Sequence, residues 1–207
     1  MPRDATTTRD RLMRAGEHLF ARRGIDGAPT SEIVTRAGQA NDSAVQYHFG
    51  SRTGLLTAII DRHMHPMEEE RKPVLAGLTG ADLGTVLTAV IEPVAEKLTS
   101  ADGRDFLRII AQLSGQSGVR TRDLPDPIAG TALAGQLALV ERLCRDAVGE
   151  PVALERIAAM ITMLTAALAD RARRIDEGLP VLLDHPGFVA DLIAMLTAAL
   201  AAPAGKP

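Results

Sequence analysis

Apolar residues recur at helical spacing along most of the chain. Leu12, Ala15, Gly16, Leu19 and Phe20 fall at i, i+3 and i+4 intervals, with Arg9, Arg11, Arg14, Arg22 and Arg23 mainly off that stripe. The spacing predicts a first helix, N-capped from Thr6–Thr8 after a loose segment 1–5 and ended by Gly24. Ile33, Val34 and Ala37 predict a short second helix, with Thr30 after Pro29 as its N-cap and Glu32 in its first turn. Val45 and Phe49, four apart, predict the inward face of a third helix capped by Asn41, while Ser43 and Gln46 share another face. Between these two helices Gly38 is placed to supply the positive φ of a tight turn. Leu55, Leu56, Ile59 and Ile60 predict a fourth helix from about Arg52 to His63, with Pro66 marking its end.

Beyond Pro66 the pattern stays helical but is less regular. It predicts helices over roughly 67–78, 84–98, 102–116, 131–147, 151–176 and 186–201, with Pro73 and Pro93 kinking or breaking theirs. Residues 118–130, with two prolines, are expected to form a loop, and the tail after 203 to be loose. Alternating β-branched and aromatic runs are missing, so the fold expected is all-α.

Residues 30–56 thus read as short helix, turn, short helix, then Gly-Ser-Arg opening a further helix. That is the layout of a helix-turn-helix, a unit that sets its second helix in the major groove of DNA. The base-reading candidates are the residues at the start of that helix. Gln46 can bond adenine N7 and N6, Ala44 can meet a thymine methyl, and Asp42 can accept from cytosine N4 or suit the helix N-terminus; Ser43 lies beside them.

The bulk numbers agree with contact at one end. Of 207 residues 46% are hydrophobic and 24% charged, enough for one or two packed domains. Only five are aromatic, so most of the core must be aliphatic. The net charge of −3 excludes a wholly basic DNA coat, but residues 1–65 carry about +2 and the remainder about −5. A mildly basic head on an acidic body fits DNA contact confined to the head. The single Cys144 excludes an intramolecular disulfide and suits a reducing compartment. The first residues lack the apolar stretch of a signal peptide, and the longest apolar run, Ile157–Ala169, is short for a bilayer. A cytoplasmic protein with no membrane contact is expected.

Residues 7–56 resemble the N-terminal domain of the TetR family of bacterial transcriptional regulators. The resemblance is carried by Ala15, Leu19, Phe20 and Gly24, by Thr30-Ser31-x-Ile33, by Ala37-Gly38, and by Tyr47-His48-Phe49-Gly50-Ser51-Arg52 followed by Leu55-Leu56. The chain departs from the usual pattern at Val45-Gln46, where the family often has Leu-Tyr, and at Arg52, where it has Lys. The resemblance implies a three-helix DNA-binding domain, here 6–52, joined to a helical effector-binding and dimerisation domain, here 53–203. It implies a homodimer paired through its last two helices, a double-stranded DNA operator, and repression relieved by a small-molecule effector. It also implies phosphate contacts from Tyr47, His48 and Arg52. Each can donate to phosphate oxygens, and Thr30 at a helix N-terminus can join them.

Other residues carry less chemistry. His63 and His65, two apart on a helix, do not converge on a metal, so they and Glu68–Glu70 read as an exposed helix end. Cys144 reads as a small buried apolar residue. Ser114-Gly-Gln-Ser-Gly118 lacks the strand that a nucleophile elbow needs, and no catalytic or cofactor-binding constellation is evident. For an effector pocket the polar candidates are Glu92, Arg108, Gln112 and Gln116, among Leu87, Val90, Ile91, Val94, Leu107, Ile110, Leu113, Met160 and Leu164. Few aromatics disfavour a cage for cationic drugs and lean toward an aliphatic effector. The alternative is a regulator or scaffold whose C-terminal helices bind a protein and enclose no pocket.

Overall fold

The apolar stripes become helices close to the expected bounds, and the largest departure concerns a proline. The computed structural model describes residues 2–41, 43–117, 128 and 130–205, with side chains except those of 2–5 and 115–117. Among the described residues there is no strand, and the chain is all-α. The helices are α1 (Pro2–Arg23), α2 (Thr30–Arg36), α3 (Ser43–Phe49), α4 (Arg52–Gly77) and α5 (Leu83–Ala95). A 3-10 turn (Glu96–Thr99) follows, then α6 (Ala101–Ser117), α7 (Ala132–Val148), α8 (Glu150–Asp176) and α9 (His185–Ala201). The expected loop 118–130 lies almost wholly outside the described residues. Residues 2–5, expected to be loose, continue α1.

Pro66 does not end α4. The helix runs through both Pro66 and Pro73 for 26 residues, about 39 Å at 1.5 Å per residue. Leu55, Ile59, His63, Met67 and Arg71 recur every fourth position and are all buried, so one continuous stripe packs on both sides of the proline. Pro66 and Pro73 sit on the exposed face, where water can serve the carbonyls that a proline leaves unbonded. Pro93 acts nearer to expectation: α5 ends two residues later and tightens into the 3-10 turn.

Side chains cap several helices. Ser51 accepts from Gly54 N–H at 2.8 Å, Asp82 from Thr85 N–H at 2.8 Å, and Asp184 from Gly187 N–H at 2.9 Å. Two hydrophobic clusters result. The first joins Leu12, Phe20, Ile33, Val34, Val45, Leu55 and Ile59 with Ile109 of α6. The second joins Leu87, Ile91, Leu107, Val140, Ile157, Leu168 and Leu196 from five later helices. α6 contributes Ile109 to the first cluster and Leu107 to the second, and α4 contributes Leu55 and Ile59 to the first while packing on α5 and α7, so the two helices tie the ends together.

By length and composition α8 is apolar enough to cross a membrane, yet Ala153, Ile157, Met160, Leu164, Leu168 and Ala172 bury it in the second cluster. Only a third of its most apolar window is covered. Met163 and Ile175 of α8, Met195 of α9 and Leu182 between them remain exposed. Cys144 is buried as expected, its thiol 3.7 Å from the Leu200 carbonyl and its pKa pushed up by burial.

Candidate nucleic-acid interface

Local chemistry fixes the second and third helices. α2 closes with Ala37 N–H donating to Ile33 carbonyl and Gln39 N–H to Val34 carbonyl. Gly38 then takes φ +70°, a left-handed conformation that glycine adopts at no steric cost. Asn41 accepts from the Ser43 N–H at 2.9 Å through its side chain, which starts α3 as the sequence suggested. Val45 is 2% exposed and anchors α3, and Phe49, half-buried, packs on the same cluster. Arg9 of α1 stacks over the Phe49 ring at 5.0 Å.

That anchoring turns the opposite face outward. Ser43 and Gln46 are exposed, and Tyr47 is 81% exposed, unusual for an aromatic side chain. His48 is half-buried, edge-on to Tyr47 at 4.9 Å. Ala44 is half-buried against the first cluster, so part of its methyl serves packing. Asp42 lies outside the described residues. Thr30 is the first residue of α2 and not its N-cap; that position falls to Pro29, which makes no side-chain cap.

Arg52 is placed unlike the other phosphate candidates. Its Nε donates to the Ala28 carbonyl at 3.1 Å, its guanidinium covers the Phe20 ring at 5.1 Å, and its Nη2 is buried. The side chain turns inward and braces the α1–α2 loop.

Polar groups join α1 to the later helices. Glu17 is 2% exposed, and its carboxylate is held by Arg62 and His63 of α4. His63 stacks on Phe106 with centroids 4.5 Å apart. The expected exposed helix end is therefore corrected: His63 and Glu68 are buried, and His65, Glu69 and Glu70 are exposed. Glu68 accepts from Ala132 and Leu133 N–H at the start of α7, as the positive end of a helix favours.

Two effector candidates also belong to this junction. Arg108 pairs with Asp105 at 3.1 Å and with Asp176 at 2.9 Å. Gln112 accepts from Ile25 N–H at 2.8 Å and donates to the Phe20 carbonyl at 3.1 Å. Both hold α6 to α1 and α8, and both also line an open cleft of about 570 Å³ between those three helices. The side chain of Gln116 lies outside the described residues. Glu92 is exposed at the rim of a cleft between α4, α5 and α7, of about 490 Å³. Leu87, Val90, Ile91, Leu107, Met160 and Leu164, named as pocket lining, are at most 6% exposed and fill the second cluster. Sequence reasoning did not single out Glu17, Arg71 or Gln136. For Arg71 the fourfold repeat through α4 was the available signal.

Comparison with known proteins agrees with this geometry. Residues 12–59 match the family of bacterial regulatory proteins, tetR family. Over 109 residues the chain is 27% identical to the HTH-type transcriptional regulator SrpR of Pseudomonas putida, covering 52% of this chain and 47% of that protein. It is also 27% identical over 109 residues to the uncharacterized HTH-type transcriptional regulator TtgW of a Pseudomonas putida strain, covering 52% of this chain and 75% of that protein. The match thus spans about half the length of SrpR. A crystal structure assigned to the TetR family, from Rhodococcus sp., superposes with a TM-score of 0.51 at 17% identity, over 94% of this chain and 99% of that one, a likeness of fold. A helix-turn-helix matched over residues 12–59, on an all-α body, defines a DNA-binding domain. Residues 12–59 thus carry the domain that marks the TetR family of transcriptional regulators.

Proposed function

We propose that this protein is a dimeric repressor that binds a palindromic operator and is released from it by a small molecule. The observation that carries the reading is the anchored α3, which buries Val45 and offers Ser43, Gln46 and Tyr47 to solvent. In this reading Asp42, Ser43, Ala44 and Gln46 meet base edges, while Thr30, Tyr47 and His48 meet phosphates. The DNA-binding domain takes residues 6–52 and the effector and dimerisation domain 53–203, with work in the cytoplasm. Two copies pair through α8 and α9, whose exposed Met163, Ile175 and Met195 gain cover in a four-helix bundle. α4 is the lever. It packs Leu55 and Ile59 at one end and Met67 and Arg71 at the other, so a ligand beside its second half biases the placing of α3.

Selection from a random duplex pool tests this directly. An inverted repeat with half-sites about one helical turn apart is the expected product. Recovery of an asymmetric site, or a monomer in sedimentation at the concentrations that bind DNA, would refute the dimeric reading. Met195→Arg is expected to dissociate the dimer and to weaken operator binding in parallel.

A further inference from the structure

Two polar side chains at the floor of the cleft between α4, α5 and α7 are buried without adequate partners. Gln136 is 0% exposed, and neither its Oε1 nor its Nε2 has a hydrogen-bond partner. Arg71 is 3% exposed; its Nη2 donates to the Val90 carbonyl at 3.3 Å, while Nε and Nη1 reach no acceptor. The Glu68 carboxylate stands 3.9 Å from Nη1 and is already engaged by two N–H groups of α7. Among the described residues six buried side-chain atoms lack partners, and four of them lie on Arg71 and Gln136. Buried donors and acceptors are ordinarily satisfied, because leaving them bare forfeits their hydration. A concentration of them in one open cleft points to a ligand.

The chemistry of the floor narrows its class. Arg71 offers donors on two nitrogens and a positive charge, and Gln136 adds a further donor and an acceptor. A carboxylate accepts from such donors with charge-assisted bonds. Above the floor Val74, Leu78 and Pro93 line the walls with apolar surface. Glu70 and Glu92 at the rim are exposed and repel a second negative charge. We propose that this cleft binds a small organic monocarboxylate with an apolar body, its carboxylate on Arg71 and Gln136, and that this compound is the effector. The second half of that statement rests on the effector-released reading above; the site itself does not.

Calorimetric titration of the full-length protein with hexanoate, octanoate, decanoate and benzoate tests the site, with 1-octanol and octanedioate as controls. Saturable binding of at least one monocarboxylate, one per protomer, is expected, with both controls at least about tenfold weaker. Gln136→Leu should keep the fold and weaken the monocarboxylate at least about tenfold, and Arg71→Met should abolish binding. Should Arg71→Met not fold, the pair Glu70→Gln and Glu92→Gln serves instead, since it should admit octanedioate. No saturable monocarboxylate binding, equal binding of 1-octanol, or an undiminished Gln136→Leu would overturn the site. Operator release is read separately by fluorescence anisotropy. Carboxylate binding without release would leave the site standing and overturn its effector role. Release by a neutral or cationic compound, without carboxylate binding, would overturn the site and leave ligand-released repression intact.

Discussion

The carboxamide of Gln112 on α6 accepts the backbone N–H of Ile25, just past the end of α1, at 2.8 Å. Its Nε2 donates back to the Phe20 carbonyl, so one side chain satisfies a donor and an acceptor at the helix terminus. Ile25 is buried, and its N–H has little access to water once the carboxamide is removed. Gln112→Ala is therefore expected to cost about 1–3 kcal/mol in urea unfolding. A change within experimental error would mean that water replaces the carboxamide and that the clasp is incidental.

Arg52 gives a prediction that separates two roles. A side chain that contacts phosphate releases a counterion on binding, and its removal lowers the salt slope by about one. The inward Arg52 instead holds the Ala28 carbonyl and covers Phe20. Arg52→Ala is thus expected to lower the thermal stability of the protein and leave the slope of log affinity against log salt unchanged. Tyr47→Phe, at an 81% exposed position, should do the reverse: stability is kept, and affinity falls on every sequence alike. A lower slope for Arg52→Ala would show that the side chain swings outward on DNA.

Much of this was legible in the residues because short-range patterns control it. The stripe of α1, the positive φ of Gly38, the cap from Asn41 and the buried Val45 each depend on neighbours within a few positions. What escaped depends on distant partners. Glu17 and His63 are 46 positions apart, and either alone looks like a surface residue. Arg108 and Gln112 looked free until α1 and α8 supplied Asp176, Phe20 and Ile25. Pro66 misled for a related reason. Its local rule ends helices, but the buried stripe on the far side of α4 continues past it and tertiary packing prevails.

The α1–α6 junction should also respond to pH. His18 Nδ1 lies 3.3 Å from Asp105 Oδ2, a pairing that alone raises an imidazole pKa. Desolvation by burial, followed by the charge of Arg36, outweighs it with help from Arg22, and the net shift is downward. The fold thus favours neutral His18. Its contribution is present above the ordinary histidine pKa and is lost as pH falls through the lowered one, because the unfolded chain takes up the proton first. Asp105, pushed up by its own burial, works with the opposite sign at lower pH. From about pH 7.5 to 5.5 the wild-type urea midpoint should fall more steeply than that of His18→Gln. Parallel profiles would exclude His18 as the source.

Gln46 is the position from which sequence choice is expected to come. It is exposed on α3, three residues from Ser43 on the same face, and it stands where the family often has tyrosine. A carboxamide can donate to adenine N7 and accept from N6, a pairing no other base offers in the major groove. Gln46→Ala should then cost about 1–3 kcal/mol on the selected operator and much less on a site changed at the base pair it reads. Non-specific binding, set by phosphates, should stay as it was. Titrations against the operator and its single-base variants decide the matter. A loss of equal size on every duplex would assign Gln46 to positioning and return base readout to Ser43 and its neighbours at the start of α3.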